Sequence, residues 1–462
     1  MSMTFGWLNP RYEIQLNSSR LAQAERPALR RTPLRTISQS SIRLSLILIM
    51  ALIASPALFA ATHCVNQSGR NGCYRTISAA VTASAPGDII QVAEGTYSED
   101  VIISKPLSLV GQNKQNTVIE ASGLADGINI NGHDNPGLSH VIVTGFTVQN
   151  ANFSGIVASN TSAITITNNI VRDNDRTLSN GSCPGLPAFF QAGEDLDCGE
   201  GIQLSGVDHS TIANNIVEHN AGGILVADDT GPTNNNVITN NQVEKNVPDC
   251  GITLASHSMA GVFANTVSGN VSDGNGGAGV GIFAGGPGNK AFGNLVLNNR
   301  LTNNAQPGVT MHNHAAPGVG PVPAGAPPVV FSDNVIVGNR ISRNAADKAD
   351  AATSGPTGIN LFSLTPMPGT IIDQNIIFQE ALDIAINVPG SAGAAPDVQA
   401  HLNSLAKPVG VQNSGTATVN ATEDWWGCPS GPGSPGCSSA SGSGIVFNPW
   451  LQKPANNNQE ED

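Results

Sequence analysis

Four groups of residues in this chain have types and spacings that could do chemistry. Asp228 and Asp229 are adjacent, and His257 follows them by one repeat of the pattern described below. Glu194, Asp195, Asp197 and Glu200 form the densest acid cluster, and His312 and His314 are two residues apart. Paired carboxylates can divide acid and base roles in glycoside hydrolysis. A cluster of carboxylate oxygens is also the donor set that calcium prefers. With calcium neutralising a uronate, an imidazole can take the proton beside it, as in lyase chemistry. On this reading Asp228, Asp229 and His257 are the catalytic candidates, with His257 as base. Glu194, Asp195, Asp197 and Glu200 are the candidate calcium ligands. Solvated acidic turns use the same residue types, and composition does not separate the two readings. His312 and His314 would face the same side of a strand, but no spacing fixes a third metal ligand beside them.

The elements that must position these groups are written in two interleaved phrases. One is Asn-rich: Asn168-Asn169-Ile170-Val171, Asn214-Asn215-Ile216-Val217 and Asn240-Asn241-Gln242-Val243, with looser copies at Asn265, Asn294, Asn334 and Asn375. The other is Gly followed by Ile or Val, at Gly127, Gly155, Gly201, Gly223, Gly251, Gly308 and Gly358. Two phrases locked in phase imply a stacked repeat. With Gly279 or Gly281 filling the gap between Gly251 and Gly308, most steps between the glycines are in the twenties, enough for three short strands and three turns. Adjacent coils would then pair in parallel, ~4.8 Å apart. The two long steps contain Thr177 to Cys198, and Ala315 to Pro328 with Ala345 to Gly355, which read as projecting loops. Paired asparagines tolerate left-handed backbone and can stack as amide ladders between coils, so their role reads as structural.

Counting from each glycine places residues in rows. Asn129, Gln203, Thr253, Thr310 and Asn360 share one outward row, and His312 lies in the next with Asn131, Ser159 and Ser205. His133, Asp229, His257 and His314 fall in a third. A face of amides and hydroxyls matches the hydrogen-bonding groups of a glycan, so Asn129, Gln203, Thr253, Thr310, His312 and Asn360 are the candidate substrate-binding residues. A merely solvated strand face has the same appearance.

Composition narrows the class. Charged residues are 12% and aromatics 4%, Gly numbers 51, and the net charge is −13. An acidic surface argues against nucleic acid and against anionic membranes, which need basic patches. Residues 1–61 read as a targeting segment: an Arg-rich start, then the apolar run Leu44 to Ala60. A retained membrane anchor is the competing reading of that run. Export to the periplasm, the cell surface or the medium follows from cleavage, with no membrane contact afterwards and a monomer as the expected state. Cys64/Cys73, Cys183/Cys198 and Cys428/Cys437 are candidate disulfides in an oxidising compartment, and Cys250 is left as a buried thiol.

Residues 62–111 read as a cap and first coils. A short helix within Tyr74 to Asp88 buries Ile77, Ala80, Val81 and Ser84. A turn at Gly95-Thr96-Tyr97 and strands at Ile89–Val92, Val101–Ile103 and Leu107–Val110 follow. Residues 112–420 are the repeats, 421–453 a Trp-rich C-terminal lid (Trp425, Trp426, Trp450), and 454–462 a polar tail. The Thr76-Ile77 helix, the Gly95-Thr96-Tyr97 turn, the Asn-Asn repeat and the Trp-Trp-Gly to Pro-Trp ending resemble exported right-handed parallel β-helix repeat proteins of pectate-lyase-like architecture. That resemblance implies an all-β solenoid with an N-terminal helical cap, and it is specific for fold, not for chemistry. Of the polygalacturonase-like motifs only Asp228-Asp229 is present. No Arg is spaced as in pectate-lyase-like calcium sites. The expectation is a polysaccharide-binding β-helix, with a uronate-directed lyase or glycoside hydrolase as the alternative.

Overall fold

The computed structural model describes residues 60–175, 199–313, 325–348, 353–393, 395–406 and 408–455. Short β-branched runs alternating with polar residues form three-residue strands, each pairing in parallel with its equivalent in the next coil. Three long sheets result, of 14, 12 and 10 strands, with a small three-stranded sheet at one corner. We call the 14-stranded sheet the back, the 12-stranded sheet the front and the 10-stranded sheet the side. One continuous apolar core runs along the axis, built from inward residues such as Ile166, Ile212, Ile238 and Val267. This is a parallel β-helix.

The Asn phrase resolves into two parts with different tasks. The first Asn of each pair is exposed and left-handed, with φ 55° at Asn168, 58° at Asn214 and 54° at Asn240. The second is buried and donates its side-chain amide to the next coil, Asn169 to Asn215 at 3.1 Å and Asn215 to Asn241 at 3.0 Å. That ladder continues through Asn270, Asn299, Asn339, Asn375 and Asn403. Each amide also donates to a backbone carbonyl of the preceding coil, as Asn241 does to Ile212. The buried turns are thereby satisfied without water.

Two further ladders were not separated by sequence reading. Asn265, Asn294 and Asn334 belong to a ladder of their own with Asn236. A third runs Asn174, Asn220, Asn246, Asn275, Asn304 and Asn344. The back sheet lies between the first two ladders, and the side sheet between the first and third.

The Gly phrase marks a close approach. A Cβ on Gly155 would lie 2.4 Å from Val171 Cγ1, and one on Gly201 the same distance from Val217 Cγ1. Side-strand valines fill that corner, so only glycine fits.

The N-terminal helix is Ile77–Ala83, capped by the Thr76 hydroxyl and by the Glu99 carboxylate on the amides of Ile77 and Ser78. A carboxylate there also complements the helix dipole. Gly95–Tyr97, expected as a turn, is a strand of the side sheet paired with Thr117–Ile119. Tyr97 is buried and its hydroxyl donates to Ala93 O, which fixes the extended form. Cys64–Cys73 and Cys428–Cys437 are disulfides. Trp426 is fully buried against Phe447 in the C-terminal lid, and Trp450 Nε1 donates to Pro429 O.

The outward faces differ. On the back sheet every outward side chain from Ser108 and Val110 to Val335 and Val337 is uncharged. The side sheet turns Glu218, Glu244, Asp273, Arg300 and Arg340 outward in the same coils. On the front sheet Leu225, Ala227, Ala255 and Phe283 form a second buried apolar cluster outside the core.

Candidate functional site

The front-sheet strands Gly222–Ala227 and Ile252–Ser256 pair with Ala227 opposite Ala255, so the turns that follow them stack. That register brings Asp229 beside His257, as the row count expected. His257 Nδ1 lies 2.9 Å from Asp229 Oδ1, and both side chains are nearly buried. An imidazole oriented by a carboxylate in this way has its tautomer and ring plane set for proton transfer. Phe283 and His312 lie in the adjacent row, in register with Ala255 on the next two strands, with ring centroids 4.9 Å apart, and Phe283 lies 6.3 Å from the His257 ring.

Asp228 does something else. Its carboxylate accepts from the backbone amides of His257 (2.7 Å), Ser258 (3.0 Å) and Gly261 (2.5 Å), and from the hydroxyls of Ser256 and Ser258. It is wholly buried. It clamps the turn that carries His257. Paired aspartates in the sequence gave no sign of this division; the serines flanking His257 are its signature.

Glu200 is distant from this pair. It is buried at the start of its strand, with its carboxylate packed over Gly222. Gly222 and Asp228 are at opposite ends of one strand, ~20 Å apart at the usual strand rise. Glu194, Asp195 and Asp197 lie outside the described residues, as do His314, Cys183, Cys198 and the Thr177 to Cys198 loop. Among the described residues no group of three or more His, Cys, Asp or Glu is arranged to hold a metal ion. Glu200 alone does not make a calcium site. His133 contacts Asn160 and is separated from Asp229 by the intervening coils.

The expected amide and hydroxyl row is real in register: Asn129, Val157, Gln203, Leu225, Thr253, Gly281, Thr310 and Asn360 are successive partners. Val157, Leu225 and Gly281 interrupt it. Gln203, Thr310 and Asn360 are buried, while Asn129, Thr253 and His312 are half-buried. Gln203 accepts from the Ser154 hydroxyl, and Asn360 donates to Thr310. The middle of the front face is therefore packed, not open. It opens toward the C-terminal end, where a shallow cleft of ≈ 100 Å³ is lined by Thr353, Ser354, Asn360, Asn387, Gln412 and Ser414 over a floor of Leu382, Ala385 and Ile386. Sequence reading reached Asn360 but missed Asn387 and Gln412, because the Gly phrase that served as ruler changes to Asp at Asp383.

Several buried acids also escaped that ruler. Burial, then the nearby Asp100, pushes Asp126 up to about 7. Burial likewise raises Glu380 to about 7, and holds Asp383 and Asp424 well above the carboxylate range. Cys250 is half-buried, and desolvation followed by the Asp249 charge holds its thiol high, which makes it a poor nucleophile.

Residues 111–296 match the family model described as a right-handed beta helix region. No curated protein is similar enough in sequence to stand as a relative. Among solved structures, the N-terminal fragment of bacteriophage phi29 gene product 12 is similar at 13% identity and TM-score 0.56, covering 80% of this chain and 61% of that one. The Dettilon tailspike protein is similar at 12% identity and TM-score 0.51, covering 78% and 62%. This chain thus spans about six-tenths of those two phage proteins. DFA-IIIase from Arthrobacter chlorophenolicus A6, solved without its lid, is similar at 12% identity and TM-score 0.54, covering 85% and 100%. Identities this low speak to fold, and the fold they share is the one built above from ladders, glycines and parallel strands. The chain is a right-handed parallel β-helix repeat protein.

Proposed function

We propose that the chain binds polysaccharide on the outward face of the front sheet, at its open C-terminal end. The cleft between Asn360 and Ser414 carries the reading: amides and hydroxyls line it, an apolar floor lies beneath, and none of these lining residues is charged. Sugars present the same mixture, hydroxyls at the edge of a ring and C–H groups on its faces, and concave sites with few convergent polar groups are where small ligands bind. Two structural neighbours support the choice by their own contents: the DFA-IIIase contains GF2, and a GH87 α-1,3-glucanase domain with TM-score 0.50 contains nigerose. Export of the chain would place the cleft where such glycans occur, and the two disulfides are compatible with that.

The test is calorimetric titration of the purified chain with neutral and acidic oligosaccharides. Binding that weakens about tenfold or more in Asn387→Ala and Gln412→Ala, a loss of ~1.4 kcal/mol each, supports the reading. Failure to bind any glycan, or binding that ignores both substitutions, removes it.

A second reading, glycan cleavage, is favoured by one observation, the His257–Asp229 hydrogen bond. In it the imidazole is the base and Asp229 orients it. Lyase action gives unsaturated products that absorb in the ultraviolet, and hydrolysis gives new reducing ends. Turnover that survives His257→Ala would rule out this dyad as its source.

A further inference from the structure

The side sheet changes sign along its length, in a chain with 34 acidic and 21 basic residues. Its earlier coils turn Glu120, Glu218, Glu244 and Asp273 outward. Its last three strands are Arg300–Thr302, Arg340–Ser342 and Ile376–Phe378, and Arg343 follows the second of them. Arg300 and Arg340 are register partners, so two exposed like charges stand on neighbouring rungs, ~4.8 Å apart at the backbone. Such charges repel unless something of opposite sign lies between them. Yet among the described residues none of these three arginines forms an ion pair, whereas Arg172, in an earlier coil, has Asp173 at 4.0 Å. Asp273 is turned to Thr302 and Asn303, and Glu380 is buried and accepts from Asn344.

Neutral groups hold the guanidinium groups in place. That of Arg340 reaches into the next coil and lies 4.5 Å from the centre of the Phe378 ring, a contact that keeps its charge. Arg343 Nε donates to Asn303 Oδ1 at 2.9 Å, and its Nη1 donates to Gln379 Oε1 at 3.1 Å. Phe378 and Gln379 are consecutive, so the two guanidinium groups are held at neighbouring residues of one strand end. The ring and the amides fix position without neutralising, and they leave most of the N–H donors unused. The cost of ordering two long side chains is therefore met before any ligand arrives.

We infer that Arg340 and Arg343, with Arg300 beside them, form a binding site for a single oxyanion group, a carboxylate, sulfate or phosphate. Planar guanidinium forks match the paired oxygens of such groups, and charge-assisted bonds of this kind are the strong ones. The site also has a size limit. Its charges come from two coils, and the outward acids of the earlier coils repel further negative charge along the sheet. A polyanion charged at every unit, such as nucleic acid, is the poorer fit. An isolated anion, free in solution or carried on a sugar, is the better one. The front-sheet cleft has no charged lining residue, so the two sites are independent and either can fail without the other.

Titration of the full chain with sodium sulfate, sodium phosphate, and a monosulfated or uronate-ended oligosaccharide tests it, read through the arginine Nε–H resonances. The expected result is a saturable shift at Arg340 and Arg343. Arg340→Gln and Arg343→Gln should each weaken binding about tenfold or more, as for loss of a hydrogen bond to a charged group. Arg172→Gln should leave the affinity intact, and matching thermal melts show that the variants fold. Equal affinity for the inorganic ions and the saccharides identifies a free anion as the ligand, and tighter binding of a saccharide assigns the anionic group to a sugar. No saturable shift with any of these probes overturns the inference, as does an affinity unchanged in both Gln variants. Full affinity in the double variant Arg340→Lys, Arg343→Lys overturns it too, because charge alone and not the paired forks would then hold the anion. Preference for a DNA oligonucleotide over all the single anions also overturns it and reassigns the patch to a polyanion.

Discussion

The front and back sheets are made by the same coils, yet only one has departed from the repeat. On the back sheet, strands of three enter from one buried Asn ladder and leave into another, and residues 199–313 pass this side without an inserted loop. The front sheet has a ladder only upstream. Its far edge is held turn by turn, by Asp228 on three amides and by Asn289 on Ser256 O. Within the repeats, the longest steps in sequence between strands, from Arg172 to Glu200, from Asn313 to Val335 and from Ser342 to Thr357, all precede or follow front-sheet strands. A ladder fixes the spacing of every coil and so forbids insertions. A clamp fixes one turn and leaves the next free to vary. Side chains with individual chemistry, His257, Asp229 and His312, accordingly sit at the clamped edge.

Breaking a ladder should have the largest effect. Asn241→Ala strands the backbone and side-chain amides of Asn215, which donate to Asn241 Oδ1, and removes the side-chain donor to Ile212 O and one of the two donors to Asn270 Oδ1. Each unsatisfied buried group costs about 1–3 kcal/mol, so a loss of about 4 kcal/mol is expected in denaturant unfolding. Because each coil contacts only its neighbours, amide exchange should rise first in the coils on either side, and on the back sheet before the front. Equal loosening of both sheets would dissolve the distinction between ladder and clamp.

Asp228→Ala is the complementary experiment. It orphans three backbone amides in a single turn and should cost about 3 kcal/mol. The damage should be local, with the His257 and Phe283 resonances shifted and the back sheet unmoved. If glycan turnover is found, Asp228→Ala should lower it through misplacement of His257, whereas Asp229→Asn should lower it with the turn intact.

Sequence periodicity was enough for the solenoid, because the glycine corner and the left-handed Asn are local requirements that each coil must meet for itself. The Asp229–His257 contact was legible for the same reason: it follows from counting along equal coils. Other features were hidden where counting breaks down. Asn265 and Asn375 carry the same phrase in different ladders, since the spacing of five between Asn265 and Asn270 serves two corners at once. Burial of Gln203 and Thr310 depends on what packs over the sheet, which in-out alternation does not encode. Asn387 and Gln412 lie beyond Asp383, where the glycine ruler ends.

The smallest expected effect concerns how the third ladder stops, and it follows from hydrogen-bond direction. Each Asn passes its amide protons toward the C-terminal coils, so the last member has to accept without needing to donate onward. Glu380 is that member: its Oε1 accepts from the backbone and side-chain amides of Asn344, and its Oε2 has no partner among the described residues. In earlier rungs the matching position is an NH₂ donating to a carbonyl of the previous coil, as from Asn344 to Leu301 O. A protonated Glu380 reproduces that donor, which agrees with a carboxyl raised to about 7 chiefly by burial. The sign follows. A carboxyl whose folded value exceeds its unfolded value of about 4.3 binds more protons when folded, so its contribution is whole below that pH. It is lost as pH rises through about 7. Unfolding free energy should therefore fall by roughly 2 kcal/mol from Glu380 between mildly acidic and neutral pH. Glu380→Gln, which carries the NH₂ permanently, should flatten that part of the profile and match or exceed the native chain at pH 7.5. A Gln variant with an unchanged pH slope would mean that the ladder ends on an ionised carboxylate, and that the clamped edge and the laddered edge do not differ in their dependence on protons.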